Sequence, residues 1–79
     1  MSDVVFRDYR GVACPMNFAR ITMDLVDLPS GSLLKVWLDT GEQVGNVSRS
    51  LLRDGQTVLE TLLEDGHWHM TIRKDTDYV

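Results

Sequence analysis

The 79-residue chain is expected to form a two-layer α/β (α+β) sandwich, with a four-stranded mixed sheet and two helices on one face, in the order β-α-β-α-β-β. Three observations predict this. The apolar period alternates between two residues and about 3.6 residues along the chain. Glycine- or proline-bearing breaks separate each segment from the next. Each strand–helix–strand passage needs a crossover of one hand, so both helices fall on the same side and the other side stays open.

The first strand is expected over residues 4–9, Val4-Val5-Phe6-Arg7-Asp8-Tyr9, a β-branched and aromatic run. Gly11 then allows a tight turn toward Cys14. From Pro15, Phe18, Ile21, Leu25 and Leu28 form a helical stripe, and Pro29-Ser30-Gly31 ends it, giving a helix over about 15–28. Residues 32–39 read as the second strand, with Leu34, Val36 and Leu38 on the core side and Leu33, Lys35 and Trp37 opposite. Val44, Val47 and Leu51 set a second helix over about 42–54, weakened by Gly45 and Asn46 and stopped at Asp54-Gly55. Gln56 to Leu63 is the third strand, Glu64-Asp65-Gly66 a hairpin turn, and His67 to Lys74 the fourth strand. The whole chain, residues 1–79, is expected to be one domain with an ordered core over about 4–74 and a frayed tail from Asp75 to Val79.

A domain this short lies near the lower limit of what folds on a core alone, and its single cysteine cannot form an internal disulfide. No apolar run is long enough to span a membrane, and no export signal is visible at the start, so a cytoplasmic, non-membrane protein is expected. The formal net charge of −4 argues against a direct nucleic-acid partner and permits docking to a basic patch on a protein.

The chemistry centres on Cys14. Proline is favoured at the first helical position, so Pro15 places Cys14 at or beside the helix cap, facing unpaired N–H groups. A thiol held there is expected to ionise more readily than a free one, and the thiolate is the reactive form. A lone cysteine in a small domain is by default a buried small hydrophobe. Here the residues on either side of it point instead to a sulfur-handling site.

Other constellations are weaker. His67 and His69 share one strand face, but no carboxylate cluster is expected to complete a chelate, so a solvated face and no metal are expected. Asp24, Asp27, Glu60, Glu64 and Asp65 read as solvating charge, and Ser30, Ser48 and Ser50 have no matching His and Asp arrangement for hydrolysis. No phosphate-binding glycine loop is present. Trp37 has two open uses: a partner contact on the open sheet face, or local packing against Lys or Arg stems.

The run Asp8-Tyr9-Arg10-Gly11, then two residues, then Cys14-Pro15 opening a helix, resembles the TusA/SirA-type sulfur-carrier family, whose signature is Asp-x-Arg-Gly-x-x-Cys-Pro-x-Pro. Gly31, Leu34 and Val36 match its Gly-x-x-Leu-x-Val segment, and Gly55 and Gly66 match its later turns. The resemblance implies the same strand–helix order. It also implies a sulfur carrier, a sulfurtransferase acting as a persulfide relay. Cys14 would accept sulfane sulfur from a cysteine desulfurase or another sulfurtransferase and pass it to an acceptor protein, with no cofactor. Known members serve tRNA thiolation, sulfur oxidation and other sulfur or selenium metabolism. Arg10 and Arg20 would be cationic neighbours of the thiol, Asp8 would pin the loop, and Pro15 would aim the sulfur outward. Asn17 departs from the family, standing where its second proline sits, which points to a different partner or pathway. A monomer is expected. The alternative is a non-catalytic interaction or regulatory module that uses the open sheet face around Lys35 and Trp37, with Cys14 dispensable. RNA binding is a weaker third reading, disfavoured by the acidic charge.

Overall fold

A computed structural model of the chain describes residues 4–41 and 43–78. Four strands, β1 (Val4–Asp8), β2 (Leu33–Leu38), β3 (Thr57–Glu64) and β4 (His67–Arg73), alternate with α1 (Met16–Val26) and α2 (Gln43–Arg53) in the expected order. They form one mixed sheet ordered β1-β2-β4-β3. β1 and β2 are parallel, with Asp8 beside Trp37, and β4 runs antiparallel between β2 and β3.

Both helices cover the same face. Leu34, Val36 and Leu38 of β2 and Met70 and Ile72 of β4 meet Ile21 and Leu25 of α1 and Val47 and Leu51 of α2 in one buried cluster. Each such aliphatic side chain contributes about 1.5–3 kcal/mol by leaving water. Val5, Phe18, Val58, Trp68 and Tyr78 pack around the cluster's rim.

The element ends differ slightly from their expected places. α1 stops at Val26 because Asp27 and Leu28 hydrogen-bond back three residues, to Asp24 and Leu25, which tightens the last turn ahead of Pro29. α2 ends as expected at Gly55, whose φ of +91° suits the left-handed position after a helix. Gln56 N–H there reaches the Leu51 carbonyl at 3.0 Å and Gly55 N–H the Leu52 carbonyl at 3.1 Å. The expected start of this helix at residue 42 lies outside the described residues.

β3 is the outer strand beside β4, with an irregularity between Val58 and Glu60 that leaves Leu59 out of the ladder. Leu59, Leu62 and Leu63 are exposed.

The frayed tail is corrected for residues 75–78. The Gln56 side chain, 2% exposed, donates to the Thr76 carbonyl at 2.8 Å and accepts from the N–H groups of Asp75 (2.7 Å) and Thr76 (3.2 Å). Lys74 is buried, bonds the Leu28 carbonyl and pairs with Asp77 at 3.3 Å. These buried polar groups find partners only if the chain end stays down. Among the described residues, no helix is long and apolar enough to cross a membrane.

Candidate functional site

The parallel pairing of β1 and β2 brings their C-terminal ends together, the end of such a sheet where loops commonly carry function. The chain leaves β1 there and runs through residues 9–15 to α1. Tyr9 N–H still bonds the Trp37 carbonyl at 3.0 Å, so the loop departs from a fixed point.

Asp8 and Arg10 then shape it. Asp8 accepts the backbone N–H of Arg10 at 3.1 Å and two bonds from its guanidinium, from Nε at 2.9 Å and from Nη2 at 2.7 Å. The side-chain bond from Arg10 is the main reason the Asp8 carboxyl is held down to about 2; the Arg10 backbone N–H adds to it. The guanidinium also lies over the Trp37 ring, 4.6 Å from its centroid. Trp37 therefore packs against an arginine, the local use left open from sequence, and its ring also meets Phe6 at 4.8 Å and His67 at 4.5 Å. Gly11 turns with φ +83°, and its N–H bonds Asp39 Oδ2 at 2.7 Å.

Cys14 is exposed in the turn where this loop runs into α1. The expectation that Pro15 is the first helical residue is corrected by one position. The helix begins at Met16, Pro15 is its flanking residue, and the Cys14–Pro15 peptide is cis. The turn holding the cysteine is closed by Asn17 N–H on the Ala13 carbonyl at 3.1 Å. This N–H is one that a proline could not supply. Asn17 itself is fully buried, donating through Nδ2 to Gln43 Oε1 at 2.9 Å and accepting Phe18 N–H on Oδ1 at 2.7 Å. No acidic side chain sits in the first turn of α1.

Arg20 is exposed, one turn beyond Met16 on α1. Its charge acts on Tyr9, whose phenol is nonetheless pushed up to about 12, first by burial and then by the Asp24 carboxylate it donates to. Arg7 joins the same carboxylate at 3.4 Å, so Asp24 ties α1 to β1 below the loop.

The site thus unites Asp8, Arg10 and Gly11 in one loop braced on β2, and Cys14, Pro15 and Asn17 in one turn braced on α2. The arginine charge at residue 10 is matched by Asp8. Sequence reasoning missed Asp39 and Gln43. Asp39 could have been found: an acid just past a parallel strand sits beside the loop leaving its neighbour. Nothing local marks Gln43, whose partner lies 26 residues away.

The histidines need a correction. His67 is buried, 6% exposed, rather than solvated; it stacks on His69 at 4.4 Å and faces the Asp65 carbonyl through Nδ1 at 3.2 Å. The hairpin also brings Glu64 and Asp65 to His69, with one potential ligand atom from each lying within 4.8 Å of the others. The two carboxylates, at the end of β3 and in the turn after it, are exposed and stand beside one of the two histidines. Beside these residues the open sheet face holds a hollow of about 220 Å³ between Phe6, Lys35, Trp37, Glu60 and Leu62.

Comparison with known proteins adds three findings. The family model described as sulfurtransferase TusA matches residues 7–74. A candidate sulfur carrier protein of Archaeoglobus fulgidus is 32% identical over 68 residues, covering 85% of this chain and 77% of its own. The crystal structure of a SirA-like protein from Desulfitobacterium hafniense superposes with a TM-score of 0.80 at 24% identity, covering 91% of this chain and 99% of the other.

Proposed function

The chain belongs to the TusA sulfurtransferase family and is a sulfur carrier by kinship; from that premise we propose that Cys14 is the residue that carries the sulfur, as a persulfide. The observation that carries this reading is the exposure of the chain's single thiol in a turn whose neighbours on both sides, Gly11 and Asn17, are tied down. A sulfur that passes between proteins must be reachable by both, and thiol exchange requires access to the attacked atom.

The exchange balances without a cofactor. The Cys14 thiolate attacks the outer sulfur of a donor protein's persulfide; the new S–S bond forms as the donor's S–S bond breaks, and the donor cysteine leaves as a thiolate. A nucleophile on the acceptor then takes the outer sulfur, and Cys14 returns as the thiolate. No electrons are gained or lost overall. Donor and acceptor are proteins that dock on the loop around Cys14, with Asp8 and Arg10 shaping that surface.

The test is intact mass after incubation with a sulfane-sulfur donor. The expected result is a gain of one sulfur atom, reversed by reductant and absent from Cys14→Ser. A gain retained in Cys14→Ser would sink the assignment. The rival reading, an interaction module using the open sheet face, expects no gain and a partner whose binding survives Cys14→Ser but is lost in Trp37→Ala.

A further inference from the structure

A primary amide is costly to bury unless its hydrogen-bonding groups are met. Asn17 is fully buried, and its groups are met across two helices. Its backbone N–H closes the turn on Ala13, its Oδ1 takes the Phe18 N–H, and its Nδ2 reaches Gln43 Oε1 at 2.9 Å. The far ends of these three bonds are the residue before Cys14, the first turn of α1 and the start of α2. The turn between Ala13 and Asn17 contains only Cys14, Pro15 and Met16, all three of them exposed.

We infer that Asn17 and Gln43 are a positioning pair for Cys14: their amide–amide bond clamps the thiol-bearing turn to the start of α2 and so holds the sulfur in its outward setting. The inference rests on Cys14 being the sulfur-bearing residue and adds the pair that places it. Both residues act through the turn, not on the sulfur. Lacking the bond, the turn samples arrangements in which the thiol is shielded. The chemistry dictates which replacements keep the clamp. Aspartate at 17 still accepts the Phe18 N–H, and the Gln43 amide can rotate to donate to its other oxygen. Alanine at either position removes the bond.

The test measures Cys14 alkylation by iodoacetamide at one fixed pH, uptake of sulfane sulfur, and thermal stability, in wild type, Asn17→Ala, Gln43→Ala, the double variant and Asn17→Asp. Each single alanine change is expected to slow alkylation about three- to tenfold, the double variant to be no slower than the slower single, and Asn17→Asp to return within about twofold of wild type. Sulfur uptake should fall in the same order. Alkylation that is unchanged or faster while stability drops would assign the pair a purely structural role and overturn the proposal. So would single effects that multiply in the double variant. Should Asn17→Ala not fold, Gln43→Ala, at a half-buried helix start, decides. Alkylation needs no sulfur donor, so a wild type that takes up no sulfur overturns the carrier reading, while the alkylation rates still judge the pair.

Discussion

At Asp8 a carboxylate receives a backbone N–H and the Nε and Nη2 donors of one guanidinium within a three-residue span. These bonds favour the ionised form, so the folded-state value of about 2 lies below the ordinary 3.8. The sign follows. As pH falls past the ordinary value, the unfolded chain takes up the proton first, so the contribution is full above about 4 and lost as pH drops toward about 2. Comparing thermal midpoints of wild type and Asp8→Asn across pH should show a constant gap at neutral pH that closes over that acid window. A gap that persists at pH 2 would mean that Asp8 acts through shape rather than charge. The pair is exposed, so the gap itself should be small. Its larger effect is on loop geometry, since Arg10 is held over Trp37 by the same contacts.

The helices divide their residues sharply between inside and outside. On α1, Ile21 and Leu25 are fully buried while Met23 is 70% exposed. Leu25→Ala should destabilise the protein by about 3 kcal/mol through lost burial and the cavity left behind. Met23→Ala should change stability by no more than about 0.5 kcal/mol. Urea unfolding of the two variants checks this, and equal effects would contradict the placement of α1 on the sheet. The helical period alone made this division legible, as the stripe Phe18, Ile21, Leu25 requires. The period of two did the same for β2, whose Leu34, Val36 and Leu38 are all buried. β3 was harder. Its place at the sheet edge leaves Leu59, Leu62 and Leu63 exposed. Edge position depends on strand order, which no local pattern encodes.

Over the whole molecule, the least legible features are those that join distant segments. Gln56 looked like a strand start and is a buried clamp on the chain end, bonded to Asp75 and Thr76. Gln56→Ala should leave those backbone groups unpaired and cost about 2 kcal/mol. In a domain of this size that is a fall of roughly 8–16 °C in thermal midpoint; no shift would mean the tail is not held. In sequence Asn17 is only a departure from a motif, and its burial against Gln43 emerges when α1 and α2 meet. Strand alternation puts His67 on the open face, where solvent is expected, and stacking on Trp37 and His69 covers it there. The Asp8–Arg10 pairing and the turn at Gly11, by contrast, join residues that are neighbours in sequence and stand in one motif, whereas the brace from Asp39 onto Gly11 comes from another strand end.

The seating of Arg10 on Trp37 also gives the molecule an optical property. An indole under a cation, flanked by Phe6 and two imidazoles, emits light in a way that depends on those neighbours staying in place. The chain has one other tryptophan, Trp68, which packs against the core on the opposite face of the sheet. With Trp68→Phe as background, emission from Trp37 becomes a label-free signal of the loop that carries the thiol. Any rearrangement that lifts Arg10 from its perch would show itself as a change of colour or brightness.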